Sequence, residues 1–129
     1  MADIILKLHE YINSNCDGKS DVVIPLLSQH TLTFLMEPSA SVLEADMASV
    51  MAAHGLSKAV VTELCKLLIV IWQNAIREGW DAARLSSTAD SCGLSQVISK
   101  ALGKHWRKCA HLMVSNIVGK SIEGNDVVD

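Results

Sequence analysis

An all-α fold is what this sequence predicts, and three observations carry the prediction. Apolar residues recur at helical spacing, β-branched residues are not organised in alternating runs, and only Pro25 and Pro38 supply proline. With 50% of its 129 residues hydrophobic, the chain suits one domain with a real core, since chains of about 150 residues bury roughly 70% of their unfolded surface. The expected architecture is a compact bundle of about six helices around a buried central helix over residues 58–78.

Taken in order, Ile4, Ile5, Leu8, Tyr11 and Ile12 predict a first amphipathic helix over Ala2 to about Ser14. Asn13 to Ser20, with Asp17-Gly18, reads as a turn. A second helix is expected from near Asp21 to about Met36, with Pro25 tolerable only in its first turn and Pro38 closing it. Ser41-Val42-Leu43-Glu44 fits a capping box and predicts a third helix starting at Ser41. Gly55-Leu56-Ser57 then supplies a left-handed stop, an apolar residue that can staple to Val61, and an N-cap.

The fourth helix, Lys58 to about Glu78, is apolar nearly all round at Leu67-Leu68-Ile69-Val70-Ile71-Trp72, which predicts a central position. Gly79 ends or bends it, Trp80 to about Leu85 suits a short helix, and Ser86 to Asp90 reads as a polar connection or a capped turn. Gly93-Leu94-Ser95 repeats the earlier stop-and-start chemistry. The last long helix, Gln96 to about Val118, is expected to bury Ile98, Leu102, Trp106, Cys109, Met113 and Ile117 and to stop at Gly119.

The net charge of −3 is unevenly spread. Residues 1–94 carry six Lys/Arg against eleven Asp/Glu, residues 95–120 carry five Lys/Arg and no acid, and residues 121–129 carry three acids. Lys100, Lys104, Arg107 and Lys108 therefore mark one basic helix on an acidic domain, and three of them line one face. A solvated face is the ordinary reading of such a stripe. An acidic protein partner is the next, and nucleic acid is disfavoured because no exposed aromatics interleave the charges. Trp72 and Trp106 fall in apolar stripes and are expected in the core, whereas Trp80, following Gly79 at a helix end, either packs over the inter-helix turn, the more ordinary role, or is a candidate docking residue.

Catalytic and metal chemistry find little support. There is no Gly-rich phosphate loop, no HExxH, no GxSxG and no carboxylate pair sited in a loop, so a non-enzymatic protein without a cofactor is expected. His105 and Cys109 share a helical face, but zinc needs at least one more protein ligand and usually two, and His9, His30, His54 and His111 are scattered singly. Cys92, near a helix start, is read as a small turn residue ahead of a nucleophile. Cys16, Cys65, Cys92 and Cys109 form no CxxC pair, and the N-terminus lacks a basic stretch and a cleavage site, which predicts a reduced, intracellular protein. The longest apolar run, Leu67 to Trp72, falls far short of the ~20 residues that cross a bilayer, so no membrane span is expected.

Several pieces of the chain occur in a telling order. Phe34-Leu35-Met36-Glu37-Pro38 and Lys66-Leu67-Leu68-Ile69-Val70 precede Gly93-Leu94-Ser95; Trp106 and Ile117 follow within one helix, and Val128-Asp129 comes last. Over about residues 26–129 this order and spacing resembles the N-terminal helical region of the COMM domain-containing (COMMD) protein family. The resemblance implies a helical N-terminal (HN) domain over 1–119, and a linker over 120–129 towards a C-terminal COMM domain that these residues do not include. It implies a non-enzymatic scaffold whose partners are other COMMD subunits, joined through the COMM domain, and the coiled-coil subunits of the Commander endosomal recycling assembly. Links to NF-κB and cullin ubiquitin ligase components, and a cytoplasmic location with endosomal and nuclear associations, are implied in the same way. Pairing through the COMM domain does not carry over to these residues. The alternatives from other classes are an independent helical domain that binds an acidic partner, nucleic acid or protein, through the basic face, and a small-ligand carrier, which needs a cavity near Trp72 or Trp106.

Overall fold

In the computed structural model, which describes residues 2–15 and 19–123 (side chains only as far as Cys109, and not that of Ala40), the chain is a bundle of six helices with no strand among the described residues. They are α1 (Ala2–Asn15), α2 (Ser20–Met36), α3 (Ala40–His54), α4 (Lys58–Glu78), α5 (Ala82–Ser91) and α6 (Gln96–Glu123). The fold class is the one the apolar periodicity predicts. The expected turn at 16–18 and the residues from 124 onwards lie outside the described residues, as do the side chains of Met113 and Ile117.

α4 is central in the sense that it packs against α1, α2, α3 and α6. Val61, Leu64, Cys65, Leu68, Ile71, Trp72 and Ala75 form its inward stripe, while Val70 remains 38% exposed on the outer side. By length and composition α4 is the one helix among the described residues that passes as a membrane span, and its apolar stripe packs inside the bundle.

The core closes around two stacked indoles. The rings of Trp72 and Trp106 lie 5.8 Å apart with an interplanar angle of 8°. Neither N–H is stranded: Trp72 Nε1 donates to Thr31 Oγ1 at 2.9 Å, and Trp106 Nε1 donates to the carbonyl of Trp80 at 2.8 Å. Thr31 passes its own proton to the Leu27 carbonyl at 2.8 Å, so a hydroxyl buried in the core has both roles filled.

The three joints between α3 and α4, α4 and α5, and α5 and α6 are built alike. Gly55, Gly79 and Gly93 take φ of 66°, 68° and 99°, a region open to glycine at little cost. In each joint the next residue (Leu56, Trp80 or Leu94) sends its backbone N–H back five residues, to Met51, Ala75 or Ala89. The third residue is an N-cap: the side chains of Ser57, Asp81 and Ser95 accept from the N–H of Val60, Arg84 and Ile98.

Four sequence expectations shift. The cap of α3 is Ser39, whose Oγ accepts from Val42 N, and not Ser41; Ser39 follows Pro38 and is extended, which suits a cap, whereas Ser41 is already helical. Pro25 lies inside α2 at its sixth residue, so Asp21 loses a backbone donor there. The stretch Ser86 to Asp90 is helical because Leu85 and Ala89 are buried on one face of α5, and packing overrides the turn preference of the serines. Finally, α6 continues through Gly119 to Glu123, since one glycine lowers helix propensity without stopping a helix.

Candidate functional site

The outer flank of the bundle is the pairing of α5 with α6. Gly103 permits it: a Cβ at this position would sit 3.0 Å from Ser86 Cβ and 3.3 Å from the Ala82 carbonyl oxygen. Small residues therefore floor a groove of about 520 Å³ between the two helices. Lys100, Lys104 and Arg107, all exposed, line its α6 wall, Ser86, Ser87 and Asp90 line the α5 wall, and Gln96 lies near one end. The helical repeat explains the stripe, because residues four and three apart rise on one face.

Within this lining, Ser99 differs from its neighbours. It is 3% exposed, and its Oγ is buried without a hydrogen-bond partner among the described residues. A helical serine commonly gives its proton to the carbonyl four residues back, and Ser99 does not do so.

The basic residues divide between two surfaces. Lys108 lies with Lys104, His105 and Cys109 in a second groove, about 360 Å³, against Gln29, Leu32, Thr33 and Met36 of α2. There His105 Nδ1 is 2.7 Å from Ser28 Oγ, which is also 3.0 Å from the Pro25 carbonyl. A hydroxyl has one proton, so both contacts are made together when Ser28 donates to the carbonyl and the imidazole donates from Nδ1. Burial lowers the pKa of His105, and the neighbouring Lys104 and Lys108 ammonium groups push in the same direction. Burial raises that of Cys109, against the pull of Lys108, and drives the Cys65 thiol up to about 11. Among the described residues no three His, Cys, Asp or Glu side chains are grouped to hold a metal ion.

Of the two roles open to Trp80, packing over the inter-helix turn holds and the docking role is corrected. Trp80 is not an exposed docking residue: only 8% of it is exposed, the Arg84 guanidinium lies 4.2 Å over its ring, and its indole N–H donates to Glu78 at 3.1 Å. The residue after a left-handed glycine is drawn back over the helix end, so this tryptophan covers the joint. The structural positions Gly55, Ser57, Gly93, Leu94 and Ser95 serve in the joints, and Trp72 and Trp106 in the core.

Sequence reasoning located the basic stripe and missed the wall opposite it. The signal available was two pairs of small residues at helical spacing on successive helices, Ala82 with Ser86 and Ser99 with Gly103. Comparison of the chain with protein-family models, with curated proteins and with solved structures finds no match.

Proposed function

We propose that this chain is a non-enzymatic protein–protein interaction domain, the helical N-terminal unit of a COMM domain-containing protein, serving as a scaffold in the Commander assembly. The observation that carries the reading is the contrast between a tightly filled aromatic core and an open basic groove on the α5–α6 flank. A filled core around Trp72 and Trp106, both no more than 1% exposed, argues against a carrier of small ligands in the bundle interior. Among the described residues the groove lining offers one carboxylate, Asp90, and neither histidine nor cysteine, a poor set for acid–base or nucleophilic work. The family assignment is supported by the order of the Gly93-Leu94-Ser95 joint, Trp106 and the apolar segments upstream. Roles in endosomal recycling, in NF-κB signalling and in cullin ligase regulation belong to the same proposal.

Affinity capture from cell extract tests it, using the chain alone and the chain fused to a COMM domain, with mass spectrometry of what is retained. Recovery of COMMD and coiled-coil subunits by the chain alone assigns direct binding to these helices. Recovery by the fusion but not the chain makes the domain a decoration on an assembly built elsewhere. Recovery by neither overturns the family assignment.

A further inference from the structure

We propose that the groove between α5 and α6 is a slot for an extended acidic segment of a partner protein, gripped by Lys100, Lys104 and Arg107 and hydrogen-bonded by Ser99. This deepens the reading of the chain as an interaction domain and rests on it.

Three features fit that occupant. The first is spacing: Lys100, Lys104 and Arg107 climb one wall over roughly 10 Å at the helical rise. An extended peptide covers that distance in about three residues, so acidic side chains one or two positions apart meet successive cations. The second is the floor, where the close Gly103–Ser86 approach joins the helices and Ala82 and Ala83 add little bulk to the groove lining. The third is the Ser99 hydroxyl, the buried side-chain oxygen that lacks a partner among the described residues. A peptide carbonyl or carboxylate seated in the groove supplies that partner when the lining opens to expose the hydroxyl.

Other occupants fit less well. Single-stranded nucleic acid wants aromatic platforms, and the lining has none, because Trp80 and Trp106 are turned inward. Asp90, inside the groove, also opposes a continuous phosphate backbone, while a peptide can place a donor there. A lipid surface is met by protruding apolar side chains, whereas this lining is concave and its apolar members are alanines.

The test is fluorescence polarisation with the whole chain and a short fluorescein-labelled peptide carrying glutamate at every second position, alongside its glutamine counterpart. The glutamate peptide is expected to bind at least roughly tenfold more tightly, with affinity falling as salt rises. Lys104→Glu is expected to remove that preference, and Lys58→Glu, on the exposed start of α4, to preserve it. Ser99→Ala is expected to weaken binding about threefold while leaving the melting temperature unchanged or raised, because it removes an unpartnered buried hydroxyl. A purely structural serine would move the melting temperature and spare the affinity, and that result overturns its assigned contact. Equal binding of the two peptides, tighter binding of a single-stranded oligonucleotide or of anionic vesicles, or a dimer abolished by Lys104→Glu overturns the slot. Peptide binding without capture of COMMD subunits keeps the slot and removes the family assignment; capture without peptide binding does the reverse.

Discussion

The two flanks of α6 solve opposite problems. On the inner flank, Trp106 stacks on Trp72, and both indole N–H groups are satisfied by oxygens of neighbouring segments. On the outer flank, Gly103 and Ser99 face the small residues of α5, and a buried hydroxyl has no partner among the described residues. Where large side chains meet, the surface is consumed in stabilising the fold; where small ones meet, the helices close on each other and the charged residues that flank the contact are left to line an open groove. Inner-flank substitutions should therefore move stability, and outer-flank ones should move binding.

The largest effect is expected at the stack. Trp106→Ala removes a buried indole, its ring partner and the donor to Trp80, and should cost about 3–5 kcal/mol in urea unfolding. If the variant does not fold alone, Trp106→Phe keeps the stack and loses the N–H, and a smaller loss of about 1–3 kcal/mol separates the two contributions. An unchanged unfolding midpoint for either would place Trp106 outside the core. Thr31→Val comes next: it preserves the shape and strands the indole N–H of Trp72, for about 1–3 kcal/mol. Should Thr31→Val prove neutral, the buried hydrogen bond contributes nothing net and the flank is held by packing alone.

Between the flanks lies the joint at Gly93, and its expected effect is smaller. Gly93→Ala places a Cβ on a residue with φ of 99°, 3.0 Å from the Nε2 of His9, and should lower stability by about 1–2 kcal/mol. Gly79→Ala provides the control, because its Cβ meets nothing within 4 Å and only the backbone strain remains. Equal losses at the two positions would show that the His9 ring simply moves aside.

Much of this was legible in the sequence, and the reason differs by element. Gly55-Leu56-Ser57 and Gly93-Leu94-Ser95 declare their joints because stop, apolar residue and cap are local chemistry. Gly79-Trp80-Asp81 is the same device, only half legible: Gly79 and the packing of Trp80 over the turn are local signals, but the cap is Asp81, inside the stretch expected to be helical from Trp80. The basic stripe of Lys100, Lys104 and Arg107 follows from spacing on one helix. The groove beside it does not, because it exists only when Ser86 and Gly103, distant along the chain, are brought face to face. Pro25 illustrates the same limit: its penalty and the Ser28 bond to its carbonyl are local to α2, but the His105 imidazole of α6 reaches Ser28 only through tertiary packing.

That arrangement gives the smallest and most specific prediction, a pH dependence seated on the α2-facing side of α6. His105 has a folded pKa below its ordinary value of 6.5, chiefly from burial and then from Lys104 and Lys108. The unfolded chain therefore takes up the proton first as the solution is acidified. Its contribution to stability is complete above the ordinary value and is lost progressively as pH falls through 6.5 towards the folded value. His105→Asn keeps a donor near the position of Nδ1 and cannot titrate, so its melting temperature should fall less than that of the parent chain between pH 7 and pH 5. Parallel acid limbs for the two proteins would show that Ser28 compensates the imidazolium. In that case the second groove, with Lys108 and Cys109, carries no pH sensitivity of its own, and the inner flank is held by the aromatic stack at every pH.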